Sequence, residues 1–391
     1  MSKKLPVLDA LAAFVNVGSE HMHVSLGGSA PEVFGTVTSQ LHALRDSLLA
    51  QGVSSVAMDA TSVYWLPLYS MLAAAGLQVR MVNGRQTRNL PGRKTDMVDC
   101  QWGATLHMHG LLRAGFVPPA DIRRLQDYLR LRAEHVAAAA SCVQLMQKAF
   151  ERMNIKLLDV ISSLAGISGM AVARAVVAGE RSPQALLALC DVQIRHKKAT
   201  AVLEALRGTW VDEHVFALSQ ALQSWDHYQR LIAHCDSRIA AVLPAHDATQ
   251  PPLAKTTKRA GVNAPEISKL REILAQMCGG RDLTRLPALS HYGVLQLVGE
   301  VGTDLSVWPT EKHFTSWTGL TPGNHDSGKR KGRAKRGRNR AGRLFCMIAH
   351  SLVRSKDIAL GGFYRRLAAR RGVGWWPPRR WHANWRLGSG A

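Results

Sequence analysis

Two aspartates three residues apart, Asp96 and Asp99 of KTDMVD, fall on one face if the segment is helical. Carboxylates that close repel unless a cation or a shared proton lies between them. Asp59 follows a short apolar run, Ser54–Met58, that reads as a buried strand, so its side chain projects where the sheet edge opens into a crevice. A strand-end carboxylate beside a helical pair is one way to assemble a Mg²⁺ site for phosphoryl chemistry. The alternative is that Asp96 and Asp99 are first-turn acids that offset a helix macrodipole.

A second constellation lies far along the chain. Lys329, Arg330, Lys331, Arg333, Lys335, Arg336, Arg338, Arg340 and Arg343 crowd into one stretch, spaced by Gly328, Gly332 and Gly337. Such a run neutralises phosphates and releases counterions. Ser327 opens it. A serine there is either a plain loop residue or a nucleophile toward a phosphodiester, with nearby cations stabilising both the alkoxide and the transition state. His21 and His23 alternate on a strand and share a face, as metal ligands or as a solvated edge. His313 and His325 are open in the same way. Residues 286–302, LPALSHYGVLQLVGEVG, suggest a helix-hairpin-helix backbone clamp, although Ala288, Leu289 and Ser290 stand where its first glycine belongs.

The elements that must position these groups are readable from periodicity. Phe14–Gly18 and Met22–Leu26 read as paired strands. Pro31–Gln51 reads as a helix with Val33, Val37, Leu41, Leu44 and Leu48 on one face. Val63–Ala75 is a helix, Leu77–Val82 a strand, and Lys94–Leu112 a helix with Thr95 as N-cap. Two strands followed by alternating helices and strands predict an α/β sheet. Ile122, Leu125, Leu129, Val136, Ala139, Val143, Met146, Phe150 and Met153 then form a coiled-coil-like stripe broken only by Arg132. A second stripe runs through Leu218, Leu222, Trp225, Ile232, Ile239 and Leu243. They predict an intramolecular bundle or an oligomerisation arm. Residues 245–264, polar and containing Pro-Pro, read as a linker.

Composition narrows the partners. Of 391 residues, 50 are Lys or Arg and 28 are Asp or Glu, a net charge of +22, which calls for a polyanion. No apolar run reaches the roughly 20 residues that span a bilayer, and the N-terminus reads as a first strand rather than a signal peptide. Nucleic acid is therefore favoured over a membrane. Six scattered cysteines without a CxxC pair speak against a zinc site and fit a reducing cytoplasm.

Taken together, VNVGSEHMHVS, VAMDATSVYWLPL, GLQVRMVNGRQTRNLPGRKTDMVDCQW, GLLRAGFVPP and VGTDLSVWPTEKHFTSWTGLTPGNHDSGK resemble the DEDD-type insertion-sequence transposases, the bridge-RNA-guided serine recombinases. The resemblance runs over residues 12–370. It implies a RuvC-like, ribonuclease H-like domain at 1–118, a helical coiled-coil region at 119–244, the linker, and a mostly helical transposase domain at 265–372. It implies a metal site for Mg²⁺ or Mn²⁺ on Asn16, Asp59, Asp96 and Asp99. Asn16 stands where the pattern has aspartate, and Asp59 where it usually has glutamate. The nucleophile falls on Ser327, in SGK where SGGK is usual. Residues 373–391 leave the pattern, and their Trp, Arg and Pro crowding resembles out-of-frame translation.

The resemblance thus implies a cytoplasmic, nucleoid-associated transposase that binds DNA and a guide RNA, works as a homo-oligomer and forms a phosphoserine link. A metal-dependent nuclease or Holliday-junction resolvase would use the acids without the serine. A catalytically dead relic would bind nucleic acid without cutting it.

Overall fold

Ala13–Val17 (β1) is buried at every position but Asn16, as a central strand must be. It pairs antiparallel with His21–Leu26 (β2), which pairs antiparallel with Glu32–Gly35 (β3). On its other side it pairs parallel with Ser55–Ala60 (β4), and β4 pairs parallel with Gln78–Met81 (β5). The sheet order is β3-β2-β1-β4-β5. That mixed order is consistent with the ribonuclease H-like domain the resemblance implies. The computed structural model describes residues 5–60, 62–84, 95–255, 261, 263–321, 338–352 and 359–371. It divides into two units, Met1–Val117 and Pro118–Ala391.

Alternation along β1 sends its side chains to two different cores. Val15 and Val17 face Thr38–Ala50 (α1) and Trp65–Ala74 (α2), with Leu44, Met58, Leu68 and Leu72 at the centre. Phe14 faces the opposite way, against Cys100 and Ala104 of Asp96–Met108 (α3). Gly103 lets α3 lie flat there: a Cβ at that position would stand 2.7 Å from three carbons of the Phe14 ring. Burial pushes the Cys100 thiol up to about 12, so it stays protonated and donates to the carbonyls of His23 at 3.1 Å and Phe14 at 3.4 Å. Gln101 Nε2 donates to Gly28 O at 2.8 Å, and His107 Nε2 meets Ser55 Oγ at 2.9 Å. Thr95 caps the helix as expected, its Oγ1 accepting from the Val98 N–H.

One expected element is different. Pro31–Gln51 is not one helix: β3 precedes α1, and Val33 and Val37 are exposed rather than part of the buried face. Glu32, Val33, Phe34 and Gly35 offer a strand edge that β2 can pair, and the backbone ladder outweighs the helical spacing of two valines.

The described residues of the second unit form helices and connecting loops, with no strand among them. Ala120–Arg152 (α4) and Asp212–Val242 (α9) are long partners that run antiparallel. At one end Ile122, Leu125 and Leu129 share a core with Ile239 and Leu243. At the other, Met146, Phe150 and Met153 share one with Leu218 and Leu222. Leu157–Val160 (α5), Ile167–Val177 (α6), Pro183–Ala188 (α7) and Val192–Ala205 (α8) connect them and close over that second core. The chain continues as Leu270–Met277 (α10), a 3₁₀ turn at Leu283–Arg285, His291–Val301 (α11), Glu311–Trp317 (α12), Arg340–Ser351 (α13) and Leu360–Arg371 (α14). Residues α10 and α11 bury join the α4–α9 core at its first end.

Arg132, the residue that interrupts the apolar stripe, is 2% exposed. Its guanidinium donates to Asp236 of α9 at 2.5 and 3.3 Å and to Asn263 O at 2.9 Å, and it lies 4.9 Å from the Tyr292 ring centre. Burial works against its charge, but the Asp236 hydrogen bonds and charge prevail and its pKa is raised. Among the described residues of the expected linker, Asn263 O accepts from Arg132, Asp247 N–H donates to Gln276 and Ala254 O accepts from Arg271, and just past it Glu266 N–H donates to Asp236. No helix among the described residues is long and apolar enough to cross a membrane.

Two stability predictions follow from these contacts. Arg132→Leu strands the Asp236 carboxylate and should cost about 3–5 kcal/mol in urea unfolding, whereas Arg132→Met with Asp236→Leu should recover most of that loss. An additive double variant would contradict the buried pair. For His107, burial first and then the Arg80 charge lower the pKa from the ordinary 6.5. The unfolded chain then binds the proton first on acidification. The stability this histidine lends is full above pH 6.5 and falls as pH drops below it toward the lowered value. Melting curves of His107→Gln, which keeps a hydrogen-bonding group near Ser55, should show a shallower acid loss than the parent.

Candidate active site

The parallel register of β1 and β4 sets Asn16 beside Asp59, and the antiparallel register of β1 and β2 sets His23 on the other side of Asn16. Cross-strand neighbours project to the same face. The row His23–Asn16–Asp59 therefore shares the face of Phe14, on which α3 is seated. The first turn of α3 brings Asp96 and Asp99 over that row, and Asn16 Nδ2 donates to Asp96 Oδ1 at 3.4 Å. Asn16, Asp59, Asp96 and Asp99 all line one cavity of about 700 Å³, with His21, His23 and Tyr64 also in its wall.

Asp59 is held toward this space by the chain just past β5. Its carboxylate rests against Gly84, where any Cβ would overlap it. Asn83 and Gly84 are thus part of the cavity wall. No spacing of chemically active residues marks them in the sequence, although an Asn-Gly pair after a strand signals a tight turn of backbone. His21 and His23, left open between metal ligands and a solvated edge, stand in the cavity wall.

The donors suit a hard divalent cation in kind: three carboxylates and an amide, around a cradle that Gly84 leaves open. Among the described residues, however, no three His, Cys, Asp or Glu side chains stand close enough together to hold a metal ion. The Asn16 amide occupies the centre of the row, with its NH₂ turned to Asp96. The acids share a cavity without being drawn to one point.

Of the second constellation, Ser327, His325, Lys329, Arg330, Lys331, Arg333, Lys335 and Arg336 lie outside the described residues, as do residues 373–391. Arg338, Arg340 and Arg343 are described, at the start of α13. Asn339 caps that helix by accepting from Gly342 N–H at 2.8 Å and anchors it by donating to Trp317 O at 3.1 Å. Ser316, the other serine of this region, lies in the last turn of α12, whose Phe314 and Trp317 pack with Trp308 at ring distances of 5.1 and 4.8 Å. In the clamp-like segment Ala288 takes φ +62°, the left-handed turn for which a glycine was expected, and Ser290 caps α11 by accepting from Gly293 N–H.

Comparison with known families gives two matches. Residues 17–155 match a transposase model, the DEDD domain of the IS110 type. Residues 280–365 match a second model, described as transposase IS116/IS110/IS902 family. The first match opens one residue past Asn16. Among curated proteins, none matches this sequence. The two matches support a transposase of an insertion sequence, of the IS110 type, and hence a chain that binds DNA.

The geometry predicts that Asn16→Asp adds a fourth carboxylate to the row, whose repulsion with Asp59, Asp96 and Asp99 a divalent cation relieves. Mn²⁺ at saturating concentration should raise the melting temperature of Asn16→Asp by on the order of 5 °C, and that of the parent by less. A melt of Asn16→Asp insensitive to Mn²⁺ would remove these residues from any metal site.

Proposed function

We propose that this chain, whose family matches support an IS110-type DEDD transposase, cuts and rejoins DNA with two sets of groups: the acids of the N-terminal cavity and the serine that opens the basic run. The observation that carries the reading is the gathering of Asn16, Asp59, Asp96 and Asp99 at the ends of β1 and β4 and the start of α3, in one cavity. A Mg²⁺ or Mn²⁺ held by Asp59, Asp96 and Asp99 would supply positive charge to a scissile phosphate.

The chain's own residues do the rest. Asn16 contributes an amide where a fourth carboxylate would add charge, so the copy binds metal weakly. Ser327 Oγ gives up its proton and attacks phosphorus: the new O–P bond forms, the bond to the leaving sugar oxygen breaks, and that oxygen takes up one proton in place of the one the serine released. Lys329 and Arg330 stabilise the charge that develops on the phosphoryl oxygens. The phosphoserine link conserves the bond energy for strand exchange. A guide RNA reads sequence by base pairing while the cationic segment grips backbone. A second subunit lets Ser327 and the acid cavity meet on one phosphate.

A metal-dependent nuclease is the second reading, favoured by the fact that the acid cavity is built wholly from the N-terminal unit. One experiment separates the two. DNA from the flanks of the gene, with RNA transcribed from the same flank, is incubated with the Asn16→Asp chain and denatured to trap adducts. A covalent protein–DNA species that disappears in Ser327→Ala and persists in Ser316→Ala is expected. Cleavage without an adduct, retained in Ser327→Ala and lost in Asp96→Ala, supports the nuclease. Binding without cleavage marks a relic.

A further inference from the structure

In the second unit, α4, α11 and α13 enclose a groove of about 250 Å³. Arg340 and Arg343 line it from the first turn of α13, three residues apart and so on one face. Arg130 lines it from α4. Glu300 of α11 holds Arg130 with a two-pronged ion pair at 3.1 and 2.8 Å, and Gln126 steadies the same carboxylate at 3.1 Å. The floor is apolar, with Leu129, Leu344 and the half-exposed Met347.

The charges of Arg340 and Arg343 do not serve the fold. A helix N-terminus carries a positive partial charge and favours acids, yet α13 has no acid in its first turn and has two arginines there. Arg340 and Arg343 are exposed, and among the described residues neither has an ion pair or side-chain hydrogen bond. Only two of the five Arg130 N–H groups are used, both by Glu300. Three guanidinium groups therefore face one carboxylate across a small groove lined on one side by the positive end of α13. The arrangement is unfavourable alone and becomes favourable when an anion enters. The apolar floor suits the sugar carbons on either side of a phosphodiester.

We propose that this groove seats one phosphodiester of a nucleic-acid backbone, gripped by Arg340 and Arg343 and completed by Arg130, which Glu300 holds in place. The proposal rests on the reading of the chain as a DNA-processing enzyme and adds to it a specific backbone contact outside the acid cavity. Glu300 acts as a buttress: it orients Arg130 while leaving N–H groups for the phosphate.

The test uses the full chain and measures how affinity for a mixed-sequence DNA duplex, and separately for a mixed-sequence RNA strand, falls with salt. Arg340→Gln with Arg343→Gln should reduce the log–log slope by about 0.9 on the duplex, or about 0.7 on a single strand, as expected for one lost phosphate. Adding Arg130→Gln should lower affinity little further and leave the slope where it is, because all three groups hold the same phosphate. The arm on which the slope changes identifies the strand that is seated. Arg195→Gln with Lys197→Gln, the same charge change at two exposed positions of α8, should leave the slope intact. A parent that binds with a slope indifferent to the α13 substitutions overturns the groove and spares the broader reading. An equal drop in the α8 control also overturns it, since net charge alone would then explain the effect. A parent that binds neither probe overturns both. Unchanged melting temperatures for the variants exclude unfolding as the cause.

Discussion

The contact between Gly103 and the Phe14 ring fixes where α3 can lie, and with it where two of the four site residues stand. Phe14 and Asn16 project from the same face of β1 because strand side chains alternate. A helix seated flat on Phe14 must therefore extend over Asn16, and its first turn delivers Asp96 and Asp99 there. The thiol of Cys100, the Gln101–Gly28 hydrogen bond and the Ser55–His107 pair lock the rotation and the far end of the helix. Asp59 needs no such device. The register of β4 against β1 puts it beside Asn16, and the missing Cβ of Gly84 leaves room for its carboxylate.

The second unit solves a different problem. Two helices of about thirty residues must hold a fixed register over a length at which apolar packing alone allows slippage. Arg132 and Asp236 meet that need near one end of the pair, where their mutual charge and the Asn263 and Glu266 backbone groups specify one alignment. The same contacts bring the segment after α9 back onto the helices, so that α10, α11 and α13 share their core. Arg340 and Arg343 at the start of α13 are then presented from a rigid base, as the proposed backbone contact requires.

Much of this was legible in the sequence, because the signals were local. Asp96 and Asp99 at i, i+3 behind a Thr95 cap, Asp59 at a strand end, and the stripes of α4 and α9 each follow from spacing alone. What was not legible came from pairing between distant segments. Val33 has helical spacing with Val37, and only the presence of β2 turns residues 32–35 into a strand. Arg132 read as a flaw in a seam because its partner lies 104 residues away. Gly84 and Gly103 carry no spacing signal; each is defined by the side chain that fills the space it leaves. Asn16 could be placed at the site by resemblance, but its bond to Asp96 required the fold.

The central claim, that seating α3 on Phe14 builds the acid cavity, is tested most directly by exchanging bulk across that contact. Metal-dependent DNA strand cleavage is measured in the Asn16→Asp chain carrying Gly103→Leu, Phe14→Ala, or both. Gly103→Leu should lift α3 and abolish cleavage while far-ultraviolet circular dichroism is retained, and Phe14→Ala should weaken it by leaving a void. The double substitution refits helix to strand and should restore a large part of the rate. Undiminished cleavage by the Gly103→Leu chain would contradict the account, because the acids would then not depend on the helix that carries them.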